Sequence, residues 1–460
     1  MIWLITRSRV SQLLGNHKKN RGLGVTLSHF ANAIQQLAQH IESAPIDACR
    51  IEVPVEEVCT DSVLPWMENQ PLFPKFYWQS RDTTEEVVAL GQARTFNEIN
   101  PAYSMLNHKQ RIWGGYAFPY KDNKGRCLSS FFFLPHIELV RRNQDWFLAA
   151  NLMEDRDAVR RAVYLLCADT LPLPNSLPAV KNVTHTPRKA LWNNTVELAL
   201  QAITTTELKK VVLARQTTIK LDSALKGVEL LALSRKQNRH SFHFLLQLEQ
   251  GHSFIGSTPE RLYSRRGQLI ETEALAGTIG RHSHPAQDLE LANWLINDKK
   301  NLQENQYVVD DIVERLTPFC NNVEVDDEAR LVKLRRVQHL KRHIQAELSK
   351  HADKSKLLEA LQPTAAVAGL PRHLALEFIE QNEPFSRAWY SGSVGYISDQ
   401  NAEFCVAIRS ALVQDDNLHL FAGAGIVPGS EAEHEWQELD KKMSTLLSLI
   451  TEQSVLEQAS

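Results

Sequence analysis

The chain has 460 residues, of which 51 are Lys or Arg and 54 are Asp or Glu, giving a formal net charge of −3. Apolar residues make up 43% and charged residues 23%. This composition excludes disorder over most of the chain and gives no support to a strongly basic nucleic-acid binder, while the length leaves room for roughly two to four domains.

Six cysteines (Cys49, Cys59, Cys127, Cys167, Cys320 and Cys405) form no CxxC pair and no Cys/His cluster at zinc-site spacing. Scattered thiols point to a reducing, cytoplasmic setting. The leading apolar run MIWLI stops at Thr6 and Arg7, too short for the core of a signal peptide, and no stretch of about 18 apolar residues suggests a membrane span.

In chain order, residues 27–43 place Phe30, Ile34, Leu37 and Ile41 at helical spacing. Residues 54–80, rich in aromatics and proline, read as irregular loops with short strands. Residues 131–140 and 145–150 read as strands around a polar turn. The Pro-, Thr- and Asn-rich stretch 168–188 is the best candidate boundary. An amphipathic helix is expected over 189–208, followed by the β-branched strand KVVLARQTTIKL. Short strands follow at 241–249, 252–256, 260–264 and 268–273. A single long helix is expected from about Gln287 to Leu316. Residues 331–348 alternate apolar and basic side chains. Strands return at 388–398, 402–413 and 418–422, and a last helix spans about 431–451. Strand clusters separated by long helices indicate an α+β protein.

The segment HLFAGAGIVPGSEAEHEWQELDKKMSTLLSLI reads as strand, glycine-rich loop and helix. Its GxGxxxG spacing is one residue off a dinucleotide fingerprint, and Glu431, Glu433, Glu435 and Glu438 at the helix start would repel a pyrophosphate. Glu435, Glu438 and Lys442 share one helical stripe beside the apolar stripe of Trp436, Leu439, Met443, Leu446, Leu447 and Ile450. Two carboxylates on successive turns can hold a hard divalent cation, and can equally be a solvated acidic helix start. Taken alone, Glu304 is an ordinary helix-surface residue and Lys210 a solvent-exposed residue at a strand start. Glu260 follows a turn-forming proline. The six basic residues of 330–342, around His339, fit a half-exposed strand better than a nucleic-acid patch.

Together these segments resemble the chorismate-utilising enzymes: isochorismate synthases, salicylate synthases, and the large subunits of anthranilate and aminodeoxychorismate synthases. The resemblance covers about residues 186–452. Its motifs, in family order, are KVVLAR (210–215), IGSTPERL (255–262), ETEALAGT (271–278), KNLQENQYVVDDI (300–312), VQHL (337–340), LQPTAAVAGLPR (361–372), WYSGSVGYI (389–397), FCVAIRSAL (404–412), GAGIVPGS (423–430) and EWQELDKK (435–442). The form of LQPTAAVAGLPR and the long N-terminal part look most like isochorismate synthases of the menaquinone pathway.

The resemblance implies a large α+β body with two packed antiparallel sheets enclosed by helices. Residues 1–185 would contribute to the same body as the catalytic region 186–452. It implies that chorismate gains water at C2 and loses its C4 hydroxyl. Lys210 would be the base, Glu260 the acid, and Mg²⁺ would be held by Glu304 and Glu438 with Glu435 close by. Gly277, Thr278, His339, Tyr390, Arg409, Lys442 and the backbone of Gly423, Ala424 and Gly425 would hold the substrate. Ammonia-using members carry glutamine where this chain has Lys210, so water is the expected nucleophile. No glutamine amidotransferase, nucleic acid or membrane partner is expected. Asn301 stands where several salicylate- and siderophore-type members have a second glutamate, and Gln362 replaces a histidine common in the proline motif. A salicylate synthase is the alternative within the family; a non-catalytic chorismate- or nucleic-acid-binding protein is the alternative outside it.

Overall fold

The computed structural model describes residues 29–119, 129–153, 155–174 and 176–458. The N-terminal run read against a signal peptide, and Cys127, lie outside these residues. The described chain forms two sheets, of 12 and 10 strands, in which every strand pair is antiparallel. Strands from the first 185 residues are stitched into both. Lys75–Gln79 pairs with Phe242–Glu249 in the larger sheet, and Ile112–Tyr116 pairs with Ser393–Ile397 in the smaller.

Period-two alternation explains how these strands bury both faces. In Lys75–Gln79, Phe76 and Trp78 join an aromatic cluster drawn from both sheets, with Trp113, Phe133, Phe242 and Tyr396. Tyr77 points the other way, into a core with the helices His29–Glu42, Val63–Glu68, Arg156–Leu165 and Gly227–Gln237. Aromatic side chains carry large apolar area, and pairs such as Phe76–Trp113 (ring centroids 5.3 Å apart) fill the space between the sheets. The smaller sheet buries its outer face under Lys299–Leu316 and Leu357–Leu361.

Several elements differ from the sequence expectation. The helix expected over 287–316 is two helices, Pro285–Asn297 and Lys299–Leu316, broken at Asp298, whose side chain caps the second by accepting from Asn301 N at 2.9 Å. The stretch 54–80 contains the helix Val63–Glu68, four of whose residues are buried. Residues 331–348 form a hairpin of two strands, Arg330–Lys333 and Val337–Leu348. The strand expected over 402–413 is split into Asn401–Val406 and Ser410–Gln414, which belong to different sheets. Among the described residues no helix is long and apolar enough to cross a membrane, and Cys49, Cys59, Cys167, Cys320 and Cys405 are free thiols.

Candidate active site

Both sheets share a seam. His252–Thr258 lies in the larger sheet and Arg261–Arg266 in the smaller, and the chain changes sheet at Pro259–Glu260. Its neighbour makes the same crossing at 407–409. The side chains that arrive at this seam line one cavity, among them Glu260, Thr278, Glu304, His339, Tyr390, Arg409 and Lys442.

Lys210 opens the strand Lys210–Leu221. Alternation puts Lys210, Val212 and Ala214 on one face and Val211 and Leu213 on the other, in the core beneath the helices Lys189–Thr205 and Arg372–Asn382. Val212 lines the cavity. Lys210 is 0% exposed, which overturns the solvent-exposed reading of the isolated residue. Its Nζ lies 2.9 Å from Glu304 Oε1, a charge pair outside the geometry of a directed hydrogen bond. Against the cost of burial, Lys210, Lys442 and Lys300 hold the Glu304 carboxyl below its ordinary value.

The pair fits because the strand beside it carries Gly425. A Cβ there would stand 2.5 Å from Glu304 Oε1 and 3.0 Å from Lys210 Cε. Gly423 and Gly425 are expected in a loop. They are instead in the strand Asn417–Ile426, paired with Ala214 and Val212, and both line the cavity. Ala424 is not among the lining residues; its side chain faces the opposite, apolar core.

Glu260 is 4% exposed. Burial and the neighbouring Glu273 carboxylate push it up to about 8, against the opposing pull of Lys210, Lys442 and Arg409. It therefore holds its proton at neutral pH, as an acid catalyst requires. Glu273 itself stays ionised against burial because Arg81 donates to both its oxygens, at 2.5 and 3.0 Å, with Lys341 nearby.

Gly277, at φ +85, sits in a bulge where the pairing of Leu269–Gly280 with Val337–Leu348 shifts between Leu275 and Thr278. The bulge re-aims the strand end and brings Thr278 opposite His339. Tyr390 stacks on Phe421 with centroids 5.2 Å apart, and burial raises its hydroxyl above the ordinary value. Burial lowers Arg409 to about 10, still a cation at neutral pH.

The three candidate metal carboxylates are each paired with a lysine: Glu304 with Lys210, Glu435 with Lys300 at 3.0 Å, and Glu438 with Lys442 at 2.7 Å. Glu435 is buried, and burial with the adjacent Glu438 raises its carboxyl above the ordinary value. Among the described residues no three His, Cys, Asp or Glu side chains converge into a closed metal cage. Hard oxygen donors, with the side-chain-free Gly425 under Glu304, fit an ion bound by one or two carboxylates and completed by water and substrate, the usual Mg²⁺ arrangement. Glu435 and Glu438 do not line the cavity itself; Glu438 is paired with Lys442, which does, and Glu435 with Lys300, which does not.

Sequence reading missed several contributors. Lys300 stands one turn before Glu304 on the same helix, a spacing that could have marked it. Against burial, Glu435 together with Glu304 and Glu438 holds it above its ordinary value. Glu273 lies two residues from the cavity-lining Leu275, on the same strand face. Val367, Ile408 and Phe421 supply apolar walls from three separate segments, with no local signal.

This cavity and this two-sheet body define the class. The chain belongs to the chorismate binding enzyme family, which it matches over residues 32–451, well beyond the 186–452 region that carries the sequence motifs. It is 39% identical over 430 residues to isochorismate synthase MenF of Escherichia coli strain K12, covering 91% of this chain and 97% of that one. It is 36% identical over 436 residues to isochorismate synthase MenF of Haemophilus influenzae, covering 93% and 98%. The solved structure of MenF, the menaquinone-specific isochorismate synthase from Escherichia coli, superposes with a TM-score of 0.84 at 38% identity, covering 92% of this chain and 100% of that one.

Proposed function

We propose that this protein is an isochorismate synthase of menaquinone biosynthesis, converting chorismate to isochorismate. The observation that carries the reading is a cavity lined both by Glu260, a carboxyl that keeps its proton up to about pH 8, and by Glu304, whose charge partner is the fully buried Lys210. It is supported by the likeness to the MenF enzymes over nearly the whole chain.

Lys210, in its neutral amine form, is the general base. It takes a proton from water as the water oxygen bonds to C2 of the ring diene. The diene electrons shift toward C4, the C4–O bond breaks, and Glu260 gives its proton to the departing hydroxyl, which leaves as water. Each group ends in the protonation state from which the reverse reaction starts. Arg409, Lys442 and Tyr390 hold the substrate oxygens, with Gly277 and Thr278 against the ring and Gly423 and Gly425 leaving room for it. Glu304 and Glu438 are the residues assigned to Mg²⁺, with Glu435 beside them. Those residues would hold the ion, which would supply positive charge against a substrate carboxylate. Residues 1–185 and 186–452 act as one catalytic body, a reading supported by the shared sheets. A cytoplasmic location, without an amidotransferase partner, belongs to the same reading.

Incubation with chorismate and Mg²⁺, followed by chromatographic separation of products, tests it. Isochorismate as the main enzyme-dependent product is expected. Salicylate with pyruvate, or no turnover, would reject it.

A further inference from the structure

His339 bridges two partners of different character. Its Nδ1 lies 2.9 Å from Thr278 Oγ1, and its Nε2 lies 3.1 Å from Arg409 Nη2. A guanidinium has donors only, so the ring nitrogen facing it must present a lone pair. The ring is neutral, because burial with Arg409 and Lys442 nearby pushes its titration well below the ordinary value. A neutral ring with a bare Nε2 carries its proton on Nδ1, and that proton points to Thr278 Oγ1, with the Gly277 backbone as a further partner. The threonine hydroxyl thus accepts from His339, and its own proton is free to turn into the cavity that Thr278 lines. The guanidinium is itself fixed, since Arg409 Nη1 donates to Thr445 Oγ1 at 2.9 Å on the last helix.

We propose that Arg409 locks His339 in its Nδ1–H tautomer and thereby commits the Thr278 hydroxyl as a hydrogen-bond donor to an oxygen of the ring substrate. His339 is then a positioning residue, and Thr278 is the group that touches the ligand. The identity of that ligand rests on the chorismate reading above; the tautomer does not.

The tautomer is read directly by long-range ¹H–¹⁵N NMR of ¹⁵N-histidine-labelled, ligand-free protein, with the His339 signals assigned by their loss in His339→Gln. The expected spectrum has a pyrrole-type Nδ1 and a pyridine-type Nε2 at neutral pH. The reverse pattern, or an imidazolium, would overturn the lock. Calorimetry with chorismate and Mg²⁺ tests the donor role. Thr278→Val should weaken affinity about tenfold, the scale of one lost hydrogen bond, and Thr278→Ser should restore it. Equal affinity in the Val and Ser variants would overturn the donor role. If wild-type protein shows the expected tautomer and binds no chorismate, the chorismate reading and the donor role fall while the lock stands.

Discussion

Glu260 and Arg409 sit at two adjacent crossings where neighbouring antiparallel strands pass together from one sheet to the other. The crossings are tied by Ser257 N donating to Arg409 O and Val406 N donating to Glu260 O, each at 3.1 Å. Arg409 holds φ +50, a conformation a non-glycine residue adopts only where its surroundings impose it. The seam thus turns both side chains out of the regular in-and-out alternation of a strand and into the shared cavity. Proposed acid and proposed anion clamp are placed by one backbone device.

Lys210→Ala should lower chorismate turnover by about 10²–10⁴-fold, the range of a lost general base. Chorismate binding in the presence of Mg²⁺, measured by calorimetry, should be largely retained. Turnover close to wild type would remove Lys210 from the role of base.

Glu260→Gln should abolish turnover and raise stability at neutral and alkaline pH. Above its unfolded value near 4.5 the unfolded carboxyl releases its proton, while the folded one keeps it up to about 8. The folded state therefore binds more protons in that window, and wild-type stability falls as pH rises through it. The variant has no such slope. Its advantage should grow from about pH 5 to pH 8 and level off at the order of a few kcal/mol. Denaturant melts of both proteins at several pH values check this; parallel pH profiles would contradict it.

Glu273→Gln should move the alkaline limb of the activity profile to lower pH. Glu273 helps to raise Glu260, and its removal leaves Arg81 and Lys341 uncompensated nearby, so Glu260 loses its proton earlier. An unmoved limb in the pH–rate profile would show that Glu273 does not tune the acid.

Glu304→Ala should weaken Mg²⁺ and chorismate binding together. It also leaves Lys210, 0% exposed, without its charge partner, a loss of about 3–5 kcal/mol for a broken buried pair. A Mg²⁺ titration and a thermal melt indistinguishable from wild type would defeat the assignment.

Gly425→Ala should cost activity with the fold intact. The added methyl stands 2.5 Å from Glu304 Oε1, a side-chain atom that can shift, so the Lys210–Glu304 pair must move apart from the strand. Unchanged turnover in a protein with native circular dichroism would mean that the pair is not held by that close approach.

Much of the smaller-scale order was legible. The stripe of Glu435, Glu438 and Lys442 is real at the atomic level, with Glu438 and Lys442 2.7 Å apart, and its apolar neighbours Trp436, Leu439, Met443, Leu446 and Ile450 are buried. The break at Asp298 was missed because apolar residues continue at helical spacing on both sides, and only the capping oxygen marks the join. The burial of Lys210 has no local signal at all. It depends on Glu304, 94 positions away in sequence, and on a glycine in a third segment. Likewise the run 402–413 reads as continuous strand because a change of sheet leaves the alternation nearly intact on either side of Arg409. Of the residues the family motifs named, Glu260, Thr278, Glu304, His339, Tyr390, Arg409 and Lys442 line the cavity, and three-dimensional contact alone says which of them meet.

The last helix, Ala432–Gln458, belongs to two cores at once. Trp436, Leu439 and Met443 are buried beside the site, whereas Leu446, Leu449 and Ile450 are buried with Phe30, Leu37 and Val53 from the beginning of the described chain. One helix therefore ties the packing of Phe30, Leu37 and Val53 to the neighbourhood of the cavity, and the same helix carries Glu435, Glu438 and Lys442. Loosening the packing around Phe30 or Leu37, neither of which lines the cavity, is thus a disturbance that this one helix can carry to Lys442, which does.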